Sequence, residues 1–233
     1  MPSALRTVAV VAYEGVLADE TAAFVDVLSR LPGARLVTVG SQPGVVGGPG
    51  GAQLIEARFE EVDPDVIVVP GGLGSHRHAE IAIWVRRVRP RWVLASSTGS
   101  ALLAAGGLLR GRRAATHWLA GPLLERYGAV ATTDRLVVDV PFVTCAGLAT
   151  TFDAADVVVR SVGGEALVRT IHEDMRTAAL HEAPACPPTR TRYRARAQAR
   201  RSRTTSEVTA PLASVGTMVE VELEDAPVAR RRH

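Results

Sequence analysis

The stretch VLASSTGSALLAAGGLL, residues 93–109, passes from an apolar strand into a helix of small residues with no conventional breaker between them. At the junction sits a polar cluster, Ser96-Ser97-Thr98-Gly99-Ser100. A buried strand end followed at once by a helix N-terminus is the place where α/β enzymes present a nucleophile. The side chain offered here is a serine.

Working outward, the same alternation recurs. Thr7 to Tyr13 (TVAVVAY) is a continuous β-branched and apolar run, as expected of a strand buried on both faces of a parallel sheet. Between Glu20 and Leu31, apolar Phe24, Val27, Leu28 and Leu31 recur at helical spacing until Pro32-Gly33 stops the pattern. Arg35 to Val39 and Val66 to Val69 read as further strands, the second ending in Pro70-Gly71-Gly72; Gly-rich residues 40–52 read as a loop or a small hairpin. Ala79 to Val88 predicts a helix, Arg91 to Ala95 a strand, Thr98 to Leu109 a helix and Ala114 to His117 a short strand. Pro122 to Tyr127 predicts a helix, Leu136 to Val138 with Phe142 to Cys145 a hairpin, and Phe152 to Val162 plus Glu165 to Arg176 two closing helices. Strands alternating with helices predict an α/β fold, an open and mainly parallel sheet with helices on both faces. Ligands bind such sheets at the carboxyl ends of the strands. That rule gathers residues 13–20, 70–74 and 96–99 on one rim.

The chain has 233 residues, 47% of them hydrophobic, enough for one full domain with an appendage. Residues 1–182 carry 17 arginines against 19 acidic residues, and residues 183–233 carry 10 against 5, so the basic balance belongs to the tail. Every basic residue is arginine; with no lysine, Schiff-base chemistry, pyridoxal phosphate attachment and a Walker-type phosphate loop are excluded. The two cysteines, Cys145 and Cys186, have no metal-finger or CxxC spacing. The first apolar run is far shorter than the roughly 20 residues of a membrane span. These features predict a cytoplasmic protein without a membrane partner.

PGGLG at 70–74, STGSALLAAGGLLRGRRAATHW at 97–118 and TCAGLATTFDAAD at 144–156 resemble the ThiJ/PfpI superfamily, of the class I glutamine amidotransferase-like group, in particular its isonitrile-hydratase-like and amidase-like branches. The match runs in family order over roughly residues 5–180. It implies a flavodoxin-like three-layer sandwich, often a homodimer, with its site on the strand-end rim. In active members the elbow reads Cys-Thr-Gly with the cysteine as nucleophile; here that position is Ser97. By the same resemblance Glu20 is the acidic residue that hydrogen-bonds the nucleophile, with Asp19 the rival assignment. His117 matches a histidine near the cysteine, and Thr98 a threonine whose hydroxyl assists proton transfer.

The substitution changes the chemistry. A thiol starts from a pKa of about 8.5 and a helix N-terminus lowers it further. An alcohol gains only about one pKa unit from the same dipole and therefore needs a general base, for which Glu20 and His117 are the candidates. The backbone N–H of Thr98 with that of Gly71 or Gly72 would stabilise an oxyanion irrespective of the nucleophile. Each residue also has a plainer reading: Ser97 as a helix cap, His117 as a wall beside Trp118, Glu20 as its own helix's N-terminal charge, Gly71 and Gly72 as turn formers.

The expected function is a small-molecule enzyme of hydratase, lyase or hydrolase type acting on an electrophilic carbon, with no cofactor and no metal. The alternative is a non-catalytic ligand-binding or regulatory homologue that has lost the thiol. His76 and His78 form an H-x-H without further ligands, Asp153 reads as a helix-starting residue and Cys145 as an inert core thiol. The tail, residues 183–233, reads as a disordered or loosely docked Pro/Arg-rich segment. Its seven arginines between 190 and 203, with one aromatic, make a nucleic-acid partner a weak expectation.

Overall fold

The computed structural model describes residues 5–182. The tail, with Cys186 and the arginine-rich stretch, lies outside the described residues. The chain begins with β1 (Thr7–Val11), α1 (Ala18–Leu28) and β2 (Arg35–Gly40). Residues 40–52 begin a hairpin of β3 (Gly44–Gly48) and β4 (Gly51–Ile55) rather than an open loop. There follow β5 (Ala57–Arg58), β6 (Val66–Val69), α2 (Ala79–Val88) and β7 (Trp92–Ser96). Next come α3 (Thr98–Ala105), β8 (Arg113–Ala114), α4 (Gly121–Arg126) and β9 (Val130–Ala131). The hairpin β10 (Leu136–Asp139) and β11 (Phe142–Cys145) leads into α5 (Thr151–Glu182).

Seven strands form one sheet in the order β10-β11-β7-β6-β1-β2-β5. All pairs are parallel except β10 with β11. Every residue of β6 is buried, because helices cover both faces of the sheet. One core joins Ile67, Val93 and Ala95 to Ile81 and Trp84 of α2, Leu102 and Leu103 of α3 and Leu124 of α4. The other joins Val8, Val10, Val68 and Leu94 to Phe24, Val27 and Leu28 of α1 and to Ala154, Val158 and Ile171 of α5. Side chains alternate across a strand, so odd and even positions of β7 enter opposite cores. Burying a side chain the size of Leu, Ile or Phe is worth about 1.5–3 kcal/mol, and these two layers therefore fix the strand ends that carry the rim. The result is an α/β, flavodoxin-like three-layer sandwich.

Several boundaries differ from the sequence expectation. The helix expected over 98–109 stops at Ala105, since Gly106 and Gly107 follow and Gly107 turns with φ 74°. The short strand expected over 114–117 is Arg113–Ala114 and pairs with β9 outside the main sheet. The two closing helices run together as α5 across a kink at Gly164. Among the described residues no helix is long and apolar enough to cross a membrane.

Candidate active site at the strand-to-helix elbow

Strand β7 ends at Ser96 and α3 begins at Thr98, leaving one residue to turn the chain. The N–H of Ser97 still follows the sheet, donating to the Cys145 carbonyl of β11 at 2.9 Å. Its carbonyl accepts from Ser100 N–H at 3.3 Å and from the Thr116 hydroxyl at 2.7 Å. Meeting both demands puts Ser97 at φ 51°, ψ −129°, a strained conformation for a residue with a side chain. The Ser97 hydroxyl makes no capping bond to its own helix. The plain cap reading is therefore not what the structure contains.

The sharp turn demands close approach of backbones. A Cβ on Gly99 would lie 2.3 Å from the Val69 carbonyl oxygen, so only glycine lets the start of α3 sit against the end of β6. A Cβ on Gly71 would lie 2.7 Å from Ser97 Cβ, 3.1 Å from Ser97 Oγ and 2.9 Å from Glu20 Oε2. Ser97 and Glu20 thus converge on one point beside Gly71. The loop that leads into α1 is fastened to the glycine turn: Leu17 N–H donates to Gly71 O at 2.8 Å and Leu73 N–H to Gly15 O at 2.9 Å.

Glu20 is 4% exposed, in the first turn of α1. Its Oε2 accepts from Gly71 N–H at 2.9 Å and from the Ser96 hydroxyl at 2.6 Å. Burial raises the proton affinity of this carboxyl, aided by the charge of Asp19 and opposed by the Ser96 and Gly71 hydrogen bonds and by His117. Asp19, the rival assignment, is exposed and accepts from the Glu20 N–H at 2.9 Å. Glu20 is the acid that faces inward.

Three expected roles are corrected by the hydrogen bonding. The Gly71 N–H is engaged by Glu20, and the Gly72 N–H donates to Thr98 Oγ1 at 2.9 Å, so neither amide is open toward a substrate oxyanion. The Thr98 hydroxyl is paired reciprocally with Gly72, donating to its carbonyl at 2.9 Å, and so holds the glycine turn rather than the nucleophile. The N–H of Thr98 itself stands at the first position of α3, where a helix offers no intrahelical acceptor. His117 forms no hydrogen bond with Ser97 or Glu20 among the described residues. Its Nδ1 accepts from Leu119 N–H at 3.3 Å at the head of a 3-10 turn, and its ring lies 5.7 Å from Trp118.

Other residues singled out from the sequence have local explanations. His78 packs its ring 4.7 Å from Tyr13 and meets Glu80 at 3.1 Å. Asp153 is a first-turn acid of α5. Cys145 is fully buried, and burial pushes its thiol up to about 12. The residue that sequence reasoning missed is Ser96. Its signal was available: a hydroxyl on the inward face of an otherwise apolar strand.

The profile of the DJ-1/PfpI family matches residues 6–161, a span that contains every residue of this elbow. Isonitrile hydratase of Pseudomonas putida is 36% identical over 137 residues, which is 56% of this chain and 60% of that enzyme, so less than two thirds of the curated relative is spanned. Among solved structures, a ThiJ/PfpI family protein from Pseudomonas syringae superposes with a TM-score of 0.67 at 25% identity, over 78% of this chain and 77% of that one. A DJ-1 superfamily protein from Salmonella typhimurium, solved as a cysteine-to-alanine mutant, superposes with a TM-score of 0.64 at 25% identity, over 73% and 98% of the two chains. On the extent of the profile match, this chain belongs to the DJ-1/PfpI family.

Proposed function

We propose that the chain is a small-molecule hydratase acting on an electrophilic carbon, with an isonitrile as the substrate class. The observation that carries this reading is the convergence of the strained, uncapped Ser97 and the buried Glu20 on one point beside Gly71. The similarity to isonitrile hydratase supports the substrate class.

The raised proton affinity of Glu20 suits it to exchange protons with a site whose nucleophile is an alcohol. Glu20 in its protonated form gives its proton to the isonitrile carbon as the Ser97 oxygen bonds to that carbon. The serine proton passes to the Glu20 carboxylate, and the product is an imidate, R–N=CH–O–Ser97. Water then adds to the same carbon, the bond to Ser97 breaks, the hydroxyl regains its proton, and an N-substituted formamide leaves. Water attacking in place of Ser97 gives the same product without the covalent intermediate. For an activated carbonyl substrate, the Thr98 N–H would face the developing oxyanion.

The test is formamide production from an alkyl isonitrile by the full chain, followed by NMR. Wild type turns over, Glu20→Gln loses about a hundredfold or more, and Ser97→Ala separates the covalent route, which it abolishes, from direct attack by water. Unchanged turnover in both variants overturns the mechanism. Binding without turnover in the wild type favours the rival reading, a ligand-binding homologue; among the described residues no base is hydrogen-bonded to Ser97 Oγ, which also speaks for it. The assembly expected on this reading is a homodimer, which sedimentation checks.

A further inference from the structure

The side chains of β7 alternate between the two cores: Val93 and Ala95 enter the layer of α2 and α3, and Leu94 enters the layer of α1 and α5. Ser96 follows Leu94 by two and shares its face. Every residue of β7 after Trp92 is buried, and Ser96 is 0% exposed. A hydroxyl in such a place is unfavourable unless it is hydrogen-bonded. Its partner is the Glu20 carboxyl, at 2.6 Å.

The bond selects one oxygen. Oε2 accepts from both Ser96 Oγ–H and Gly71 N–H, whereas Oε1 has no hydrogen-bond partner among the described residues. Oε1 lies beside Gly147, 3.5 Å from where a Cβ on that residue would stand. An oxygen that already accepts two donors is a poor seat for a proton, so protonation of Glu20 would fall on Oε1. The other ionisable groups close enough to act on Glu20 are Tyr13, Asp19, His117 and Cys145. None of them is hydrogen-bonded to its carboxyl. The Tyr13 hydroxyl donates instead to the Pro70 carbonyl at 2.8 Å, and Asp19 accepts the Glu20 backbone N–H.

We propose that Ser96 is a positioning residue for the site: by donating to Oε2 together with the Gly71 N–H, it pins the Glu20 carboxyl at the point where Glu20 and Ser97 converge. This rests on the hydratase reading for its effect on turnover, but its hold on Glu20 is independent of that reading. Ser96 touches no substrate and acts through Glu20.

The experiment follows the Glu20 side-chain carbon by NMR across pH in the full chain, assigned by its loss in Glu20→Gln, together with the pH profile of isonitrile hydration. Ser96→Ala removes a donor to the charged form, so the Glu20 midpoint moves to higher pH by about one unit or more. The alkaline limb of the kcat profile moves with it, the kcat plateau falls about tenfold and KM stays near its wild-type value. Ser96→Cys, which keeps the bulk and weakens the donor, shifts the midpoint in the same direction by less, and serves if the alanine variant does not fold. A Glu20 midpoint unmoved in either variant overturns the proposal. A wild type that shows no turnover while Ser96→Ala still moves the midpoint sinks the hydratase reading and leaves the hold of Ser96 on Glu20 standing.

Discussion

The Thr116 hydroxyl donates a 2.7 Å hydrogen bond to the carbonyl of Ser97, so the strained residue of the elbow is held by the chain that returns after α3. Thr116 is itself 9% exposed, and its bond is little diluted by water. Thr116→Val keeps the shape and removes the donor. The Ser97 carbonyl retains the Ser100 N–H at 3.3 Å and is not orphaned, so the expected loss is about 1 kcal/mol in urea unfolding. Turnover should fall about tenfold, more than unfolding explains at that stability, because the bond fixes where the hydroxyl sits. Unchanged turnover would mean that the elbow keeps its angle without Thr116.

Gly71→Ala tests convergence directly. The added methyl would stand 2.7 Å from Ser97 Cβ and 2.9 Å from Glu20 Oε2, and both neighbours are 4% exposed with little room to move. Gly71 has no positive φ, so the penalty is steric rather than conformational. Overpacking of this kind costs about 1–3 kcal/mol. The larger effect is on chemistry, since the methyl also displaces the Gly71 N–H that holds Glu20. Turnover below detection with a folded circular dichroism spectrum is the expected outcome; a variant as active as wild type would separate Ser97 from Glu20.

The fold was legible where burial writes itself into composition. Val66–Val69 and Ala79–Val88 have the bounds that their apolar runs and helical spacing predict, because each is enclosed by turn residues. The helix from Thr98 was overextended, since the glycines at 106 and 107 sit in an apolar string that hides the stop. The hairpin of residues 44–55 is only half legible, because its glycines blur the alternation. At the site, Ser97, Glu20 and the glycine turn were legible through family resemblance. The engagement of the Gly71 and Gly72 amides was not, since the hydrogen bond that a backbone N–H makes is set by chain path and leaves no trace in residue type.

The buried carboxyl makes stability depend on pH with a definite sign. Burial raises the proton affinity of Glu20 above its ordinary 4.5, so the folded state holds this proton more tightly than the unfolded state. Its contribution is present in full below that ordinary value and is lost as pH rises through the folded value. Glu20→Gln carries no charge to bury and escapes the loss. Its stability relative to wild type should therefore improve between about pH 4 and about pH 8, as read by urea unfolding at both. A difference between the two proteins that is independent of pH would show that the carboxylate is held in the fold without penalty.

The turn at the elbow holds Ser97 at a cost in stability. A residue with a side chain held at φ 51°, ψ −129° costs about 1–3 kcal/mol, and glycine adopts that conformation without the penalty. Glycine in turn gives the unfolded chain more freedom, which removes about 0.4–1 kcal/mol of the gain. Ser97→Ala keeps the strain and loses only the hydroxyl, which makes no capping bond. Comparing the two variants isolates the backbone term: Ser97→Gly should be more stable than Ser97→Ala by about 1 kcal/mol, and both should lack the covalent route. The thermal midpoint of the glycine variant should lie above that of wild type as well, since glycine removes the backbone penalty. Equal midpoints for the glycine and alanine variants would mean that the turn carries no strain and that the position of the hydroxyl alone distinguishes this residue.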